Sequence, residues 1–342
     1  MTNSKNLRGD PRRLFFLIYD SRSGSTLLSS QLDAHKDIVV TTESNFMRLL
    51  LEQQKQLKGA TTSEKILTIL RCGERIAQLD LPDRLIAARL PSSGPYSISS
   101  VAQALSEAYA DHIKPEAKNV IIKDGANGYW INQITQHLPE AGFIHILRDG
   151  RAVFNSKRFT ERPYAPGKIM ARDTLTAARH WRSFVNHVHG FTKLHPEKIL
   201  TVCFEDLLKY PDRTVATVYR SLGLPADNNA SSTEYSKRIP AKESAIHQKI
   251  TKEVDATRID AWRQEVPTSE LYVFDYLCRR TLERHGYEPI SRGASAVTLL
   301  NTKHLAVILQ SLWRRLASWM RLAFSPTLTW QIVKWKFLRL KG

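Results

Sequence analysis

The sequence predicts an α/β fold in three layers, with a central, mainly parallel sheet flanked by helices. Five short apolar segments have the continuous hydrophobic character of strands that are buried on both faces: 14–20, 37–42, 119–123, 143–147 and 198–203. Longer segments separate these strands, so we expect parallel pairing through right-handed crossovers. The chain has 342 residues and is 42% hydrophobic, which is enough for one large domain with a buried core.

The intervening segments predict helices in a regular order along the chain. Apolar residues recur at helical spacing in eight segments: 27–35, 45–57, 63–79, 129–138, 150–158, 173–194, 211–222 and 269–285. Residues 59–118 have little strand character, and we expect them to form a helical insertion. Ligands of open parallel sheets bind at the carboxyl ends of the strands, so the turns after the strands are the places to search for a site.

The turn after the first strand has the composition of an anion-binding loop. Its polar residues are Arg22, Ser23, Gly24, Ser25 and Thr26. The first N–H groups of a helix and its dipole favour negative charge, and Gly24 permits close approach of the backbone. Arg22 adds a planar fork that suits phosphate oxygens. The G-x-x-x-x-G-K-[ST] loop of nucleoside triphosphatases does not occur here, which argues against magnesium-dependent phosphoryl transfer.

A second anion-binding turn follows the strand 143–147. Arg148 stands at the carboxyl end of that strand, and Ser156 follows eight residues later in the next predicted helix. An arginine and a hydroxyl at these positions can converge on one phosphate. Two such turns predict a single ligand that carries two phosphate groups.

The two turns resemble those of the sulfotransferases that use 3′-phosphoadenosine-5′-phosphosulfate (PAPS). The resemblance is strongest to the tyrosylprotein sulfotransferases and their bacterial relatives, and it covers most of residues 14–290. It implies the P-loop-like sulfotransferase fold, with the first turn as the 5′-phosphosulfate loop and Arg148 with Ser156 as the 3′-phosphate site. It also implies metal-free transfer of a sulfuryl group from PAPS to an acceptor hydroxyl, with release of PAP. The helical insertion at 59–118 is then expected on the acceptor side of the site.

The same resemblance implies two catalytic residues. Glu43 matches the carboxylate that deprotonates the acceptor, although a solvated glutamate near a helix start is the simpler interpretation of the residue by itself. Lys123 matches the cation that stabilises the leaving group, although it could also form an exposed ion pair with Asp124. Asp124 is the second candidate for the base, because it follows the same strand end.

The sequence departs from the tyrosylprotein pattern at two positions. Phe204 stands where those enzymes have a nucleotide-contacting tyrosine, and it cannot donate a hydrogen bond. Thr160 stands where they have a further arginine. The neighbouring basic residues that could replace that arginine are Lys157, Arg158 and Arg162. We expect cofactor binding to survive with altered contacts.

A late charged segment is predicted to cover the 3′-phosphate and the adenine. Arg258 is the first candidate for a cofactor contact there and Lys252 the second, although such a segment is commonly a solvated loop. Trp262 is expected in the core. Arg151 is expected to have a structural role, either paired with Asp149 or facing solvent.

The composition adds expectations about metal sites and compartment. Cys72, Cys203 and Cys278 are isolated in sequence, so neither a disulfide framework nor a structural zinc site is predicted, and a reducing interior fits best. Residues 1–13 form a short basic tail without a secretory signal. We therefore expect a bacterial cytoplasmic enzyme.

Residues 291–342 form a basic amphipathic extension to the domain at 14–290. From Pro289 onward the chain has no acidic residue, and this part supplies about half of the net charge of +17. Apolar residues recur at helical spacing between Leu305 and Ala323, and Trp330 and Trp335 follow among lysines. The pattern is typical of a helix that lies on an anionic membrane surface, which 303–342 would contact. The alternative is a helix docked on its own domain or on a second copy, so an oligomer stays open.

Several other functions are compatible with parts of the pattern. A pI near 9.8 favours polyanions in general, but no nucleic-acid-binding motif accompanies it, so nucleic acid is disfavoured. A P-loop kinase would require ATP and magnesium, and a nonenzymatic membrane-associated protein would require only the extension. Membrane contact would favour a glycolipid, a lipid-linked sugar or a similar metabolite as acceptor, at the inner face of the membrane. Protein tyrosine is the alternative acceptor.

Overall fold

The computed structural model describes residues 10–163, 165–225, 233–240, 259–290 and 301–323, and the following observations concern these residues. The strands are β1 (Arg13–Tyr19), β2 (Ile38–Val40), β3 (Asn119–Lys123), β4 (Gly142–Leu147), β5 (Glu161–Arg162), β6 (Ala165–Ile169) and β7 (Ile199–Cys203). The central sheet has the order β2-β3-β1-β4-β7, and every neighbouring pair in it is parallel. The predicted parallel α/β sheet is confirmed.

Helices connect these strands and cover both faces of the sheet. They are α1 (Ser25–Asp33), α2 (Phe46–Glu52), α3 (Gln54–Gly59), α4 (Ser63–Arg71), α5 (Asp83–Arg89), α6 (Ile98–Ile113), α7 (Ile131–His137), α8 (Gly150–Arg158), α9 (Thr174–Leu194), α10 (Phe204–Lys209), α11 (Pro211–Ser221), α12 (Thr233–Arg238), α13 (Trp262–Glu265), α14 (Thr268–Arg284) and α15 (Thr302–Ala323). Short 3₁₀ helices lie at Ile76–Leu79, Gly125–Trp130 and Pro196–Lys198. None of the helices within the described ranges is both long and apolar enough to cross a bilayer.

The strand β1 shows why the molecule has three layers. Successive side chains of a strand point to opposite faces, so Phe16 and Ile18 enter one core and Phe15 and Leu17 the other. The first core includes side chains of α6, α9 and α14, and the second includes side chains of α1 and α11. The sheet is therefore buried on both faces, as its continuous apolar strands predict.

The strand register brings the ends of the strands to one edge. Leu17 of β1 pairs with Lys123 of β3, and Tyr19 of β1 pairs with Ile146 of β4. The turns that begin at Asp20 and Arg148 therefore start side by side. This edge holds the residues that the sequence singled out.

The structure corrects two predicted helices. The helix predicted at 45–57 is two helices, because the backbone leaves the helical conformation at Gln53. The helix predicted at 63–79 ends at Arg71, where the chain turns at Gly73. A Cβ at Gly73 would lie 2.9 Å from the Leu49 side chain, so the turn packs tightly against α2. The apolar pattern continued past this turn because Leu79 is also buried, in a 3₁₀ helix.

Other elements were absent from the prediction. The short antiparallel pair β5 and β6 is one, and α10 begins directly after β7 without a separating turn. Residues 59–118 contain helices α4 to α6 as the crossover between β2 and β3. Their position on the acceptor side stays a prediction. The late candidates Lys252 and Arg258, residues 291–300, and the tail from 324 onward lie outside the described residues.

Candidate active site

The turn between β1 and α1 has the form of an anion cradle. Arg22 and Gly24 have positive φ angles of 75° and 86°, and α1 begins at the next residue, Ser25. A Cβ on Gly24 would lie 2.2 Å from Cδ2 of Phe204, so both the backbone angle and the packing require glycine there. Gly24 is the N-cap of α1 and offers no side chain to the first N–H groups of the helix. The buried hydroxyl residues Ser23, Ser25 and Thr26 complete the turn.

Hydrogen bonds of two arginines, Arg22 and Arg148, connect the second turn to the first. Arg148 follows β4, and its Nη1 donates a hydrogen bond to the carbonyl oxygen of Arg22 at 2.9 Å. Arg22 in turn donates from Nε to Ser156 Oγ at 3.1 Å. The guanidinium of Arg148 lies 4.2 Å from the centre of the Phe204 ring. Arg148 and Ser156, which the sequence assigned to one phosphate, are thus linked through Arg22, which the sequence assigned to the other turn; the phosphate-binding role of all three stays a prediction.

Arg22 and Arg148 are largely removed from solvent, which is unusual for cationic side chains. Burial lowers the pKa of Arg148 to about 10, although Glu205 opposes this effect, and burial also lowers the pKa of Arg22. Arg148 Nε is buried and has no hydrogen-bond partner among the described residues. A buried cation without a paired anion is costly, so this arrangement favours an anionic ligand.

Glu43 and Lys123 meet at the adjacent strand ends. Lys123 Nζ lies 3.7 Å from Glu43 Oε1 and donates a hydrogen bond to Thr26 Oγ1 at 3.2 Å. Lys123 is buried, whereas the Glu43 side chain keeps 21% of its surface exposed. The Tyr19 hydroxyl also donates to Glu43 Oε1, and Arg75 Nη2 lies 3.3 Å from Oε2. The carboxylate is therefore fixed by cations and a phenol, yet it remains accessible.

Asp124 occupies a different environment. It is buried and accepts hydrogen bonds from the backbone N–H groups of Asn45 and Ala126, at 2.8 and 3.0 Å. Burial and the neighbouring Glu43 raise the pKa of Asp124 to about 7. Asn45 is two residues from Glu43, so Asp124 also anchors the segment that carries Glu43.

Arg151 and Trp262 lie in the protein interior. Arg151 is fully buried, forms ion pairs with Asp149 at 2.8 Å and Asp275 at 3.2 Å, and donates to the carbonyl of Glu288. Its guanidinium stacks 4.1 Å from the ring of Trp262. Of the two predicted alternatives for Arg151, the pair with Asp149 is the one observed.

The basic residues near Thr160 already have protein partners. Thr160 donates to the carbonyl of Ser156 at 2.7 Å, Lys157 Nζ lies 2.5 Å from Asp20, and Arg158 pairs with Glu270 at 3.5 Å. Arg162 is exposed on β5. Lys157 therefore stabilises the start of the first turn, whereas Arg158 links α8 to α14.

Several residues of the site were not found from the sequence. Asp20 begins the first turn; burial by itself would raise its pKa, but Lys157 and His180 together outweigh burial and hold the pKa well below the ordinary value. Arg75 precedes the 3₁₀ helix Ile76–Leu79 and belongs to no motif, and Tyr19 is one residue of the apolar strand β1. The pattern of a buried strand does not distinguish a packed phenol from one that bonds a carboxylate. No cluster of three or more metal-ligating side chains occurs in the described part of the chain.

The family of the chain follows from comparison with known proteins. A model of the sulfotransferase family matches residues 16–228, a range that holds both turns, Glu43, Lys123 and Ser156. The chain belongs to the sulfotransferase family. This finding confirms the resemblance stated from the two turns.

This sulfotransferase has relatives in sequence and in fold. It is 25% identical over 213 residues to protein-tyrosine sulfotransferase 1 of Danio rerio, covering 62% of this chain and 53% of that protein, so it spans only about half of that relative. The sulfotransferase domain of the curacin biosynthetic pathway matches with a TM-score of 0.53 at 17% identity, covering 81% of this chain and 98% of that one. The sulfotransferase domain of the Synechococcus PCC 7002 olefin synthase gives 0.54 at 18% identity, covering 84% and 99%. These structural likenesses establish the sulfotransferase fold.

Proposed function

We propose that this sulfotransferase transfers a sulfuryl group from PAPS to an acceptor hydroxyl and releases PAP. The observation that carries the proposal is the meeting of Arg22, Arg148 and Ser156, with a buried Arg148 Nε that has no partner in the described residues. A phosphate placed there would supply the missing anion. Because the Gly24 turn offers a second cradle next to Lys123, a ligand with two anionic groups fits the site.

Each end of PAPS has candidate contacts. The 3′-phosphate is assigned to Arg148 and Ser156, with Arg258 predicted to join them. The 5′-phosphosulfate is assigned to the turn of Arg22, Ser23, Gly24, Ser25 and Thr26. No metal ion is needed for this arrangement, because the cations are supplied by side chains.

The proposed reaction is an in-line displacement at sulfur. Glu43 accepts the proton of the acceptor hydroxyl while that oxygen forms a bond to sulfur. The bond between sulfur and the bridging phosphate oxygen breaks, and its electron pair stays on the phosphate of PAP. Lys123 stabilises the charge that develops on this oxygen, and Thr26 holds the Lys123 ammonium in place.

Glu43 is preferred to Asp124 as the base on the basis of access. Both oxygens of Asp124 accept backbone hydrogen bonds, and the residue is buried. Glu43 is partly exposed and lies 3.7 Å from Lys123, so a hydroxyl beside it is also beside the leaving group.

A Glu43→Gln substitution tests the role of the base. We expect turnover to fall by roughly 10²-fold to 10⁴-fold, because the amide cannot accept the proton, while PAP affinity stays within about twofold. Transfer of labelled sulfate from PAPS and calorimetric titration with PAP measure the two quantities. Glu116→Gln, an exposed residue before β3, is the matched control and should leave both unchanged. Full turnover by the Glu43→Gln variant would mean that another group acts as the base.

The acceptor is proposed to be a hydroxyl of a glycolipid, a lipid-linked sugar or a similar metabolite. Protein tyrosine is the second candidate, because the Danio rerio relative is named as a protein-tyrosine sulfotransferase. Labelled transfer to lipid extract, to soluble sugars and to tyrosine-containing peptides separates these classes. Transfer to peptides alone would contradict the preferred acceptor and leave the proposed reaction intact.

A further inference from the structure

Among the residues of helix α15 whose side chains are described, one face packs on the domain. It contacts α9 and α14, and His304 and Ser311 are buried in this contact. The His304 ring lies 5.1 Å from the ring of Tyr272 in α14. The described part of the extension, residues 301–323, is thus docked on its own domain, which was one of the alternatives that the sequence left open.

A second face of the same helix is apolar and exposed. We call it the outer apolar face, and it consists of Leu305, Leu309, Leu312, Trp313 and Leu316. The exposed fractions of its residues range from 37% at Leu305 to 65% at Trp313. An α-helix turns about 100° per residue. Viewed along the helix axis, these residues therefore cover an arc of about 100°, and the centre of this arc lies about 120° around the helix from His304. Docking therefore leaves a continuous apolar stripe in solvent, which is unusual for a soluble surface.

The outer apolar face lies at the same end of the molecule as the candidate active site. Arg314 donates a hydrogen bond to the carbonyl of Arg172, just before α9 begins. His180, two turns further along α9, lies 3.5 Å from Asp20 in the turn after β1. The C-terminal half of α15 therefore lies near the carboxyl edge of the sheet.

The sequence that carries this helix is strongly basic, and the described cations Lys303 and Arg314 lie on the side of α15 away from the outer apolar face, the arrangement of helices that lie in a membrane interface. The segment 289–342 contains nine lysines and arginines and no acidic residue. The exposed residues Arg162, Lys168 and Arg172 continue the positive surface beyond Arg314, and Glu161 and the half-buried Asp173 are acidic residues beside them. A second copy of this helix would bring the same excess of cations, so self-association would oppose like charges. An anionic surface complements both the charge and the stripe.

We propose that the outer apolar face of α15 binds the surface of a bilayer that contains anionic lipid. The helix lies in the plane of the interface, with the leucines and Trp313 among the acyl chains and the cations within about one Debye length, ~8–10 Å, of the lipid phosphates. This contact holds the carboxyl edge of the sheet near the lipid surface. The inference goes beyond the proposed reaction and does not depend on it.

Vesicle binding by the full chain tests the inference. The double variant Leu309→Gln with Trp313→Gln removes the apolar contact, and Leu194→Gln, which changes a somewhat more exposed leucine at the far end of α9, is the matched control. Co-sedimentation is measured with vesicles of phosphatidylcholine alone and of phosphatidylcholine with about one third phosphatidylglycerol. We expect the wild type and the control to bind the anionic vesicles in a salt-sensitive manner. The double variant should bind at least about tenfold more weakly, and neutral vesicles should bind the wild type at least about tenfold more weakly.

Three results would overturn the inference. The first is equal vesicle binding by the wild type and the double variant. This result includes the case in which vesicle binding is lost only when residues 324–342 are deleted. The second is no binding by a wild type that still binds PAP and is therefore folded. The third is that light scattering shows a wild-type dimer and a monomeric double variant, while neither protein binds vesicles. The outer apolar face would then be covered by a second copy of the chain. PAP titration of the same samples tests the proposed function separately.

Discussion

Glu43 and Lys123 meet because the two strands that precede them are neighbours. Val40 of β2 pairs with Ile121 of β3, and the Lys123 N–H donates to Thr41 Oγ1 at 3.1 Å. Sequence patterns alone placed both residues at the edge of the sheet, and the resemblance gave them roles. The hydrogen bond from Tyr19 to Glu43 had no counterpart in the sequence, because buried strand residues give the same apolar signal whether or not they bond a carboxylate.

Tyr19→Phe tests whether this hydroxyl positions Glu43. Loss of a hydrogen bond to a charged group is expected to lower kcat roughly 10-fold to 100-fold, with PAP affinity unchanged. The acidic limb of the pH profile of kcat should shift, because the hydroxyl bonds the carboxylate itself. Tyr96→Phe removes another buried hydroxyl, which bonds the Pro91 carbonyl at 3.2 Å, and should leave kcat and the pH profile unchanged. A pH profile and kcat unaltered in Tyr19→Phe would remove this residue from the site.

The raised pKa of Asp124 leads us to expect that the stability of the protein depends on pH. Its folded-state pKa of about 7 lies above the ordinary value of 3.8, so between these values the folded protein binds a proton that the unfolded chain has lost. The free energy of unfolding should therefore fall as pH rises from about 4 to about 7. Urea unfolding at several pH values should show this slope in the wild type, by up to about 1.4 kcal/mol per pH unit, and less of it in Asp124→Asn. Equal slopes in the two proteins would contradict the raised pKa.

At the scale of elements, the strands were predictable and the helix ends were less so. Each central strand lies within a few residues of its predicted range, because a strand buried on both faces is apolar throughout. Helix ends depend on tertiary packing, as the break at Gly73 against Leu49 shows. The exposed pair β5 and β6 has no apolar alternation that a sequence could reveal.

Gly24 tests whether the close packing of the turn before α1 is needed for ligand binding. Gly24→Ala would combine an unfavourable φ of 86° with a contact to Phe204 at 2.2 Å, so the turn must move. We expect a loss of PAP affinity of at least about 100-fold, measured by calorimetry. Gly167→Ala is the matched control, with a φ of 73° but open space around the new Cβ. It should lower stability by about 1–2 kcal/mol and leave PAP affinity within about twofold. Similar affinities in the two variants would show that close packing at Gly24 is dispensable.

At the scale of the molecule, the parallel topology assembles the site from distant segments. The turns at 21–26 and 148–151, together with Glu43 and Lys123, come to one edge because every strand of the central sheet points the same way. That convergence follows from the fold class and was predictable. Arg75 was not predictable, because it reaches Glu43 from the helical segment between β2 and β3, whose packing no local pattern specifies.

A calorimetric titration of the full chain with PAP in the absence of metal tests directly whether Arg148 binds a phosphate of the nucleotide. We expect saturable binding by the wild type and a loss of at least about 100-fold in Arg148→Ala, with the exposed Arg220→Ala unchanged and ATP bound more weakly than PAP. Equal affinity of the wild type and Arg148→Ala, or binding of ATP with magnesium in preference to PAP, would contradict the account.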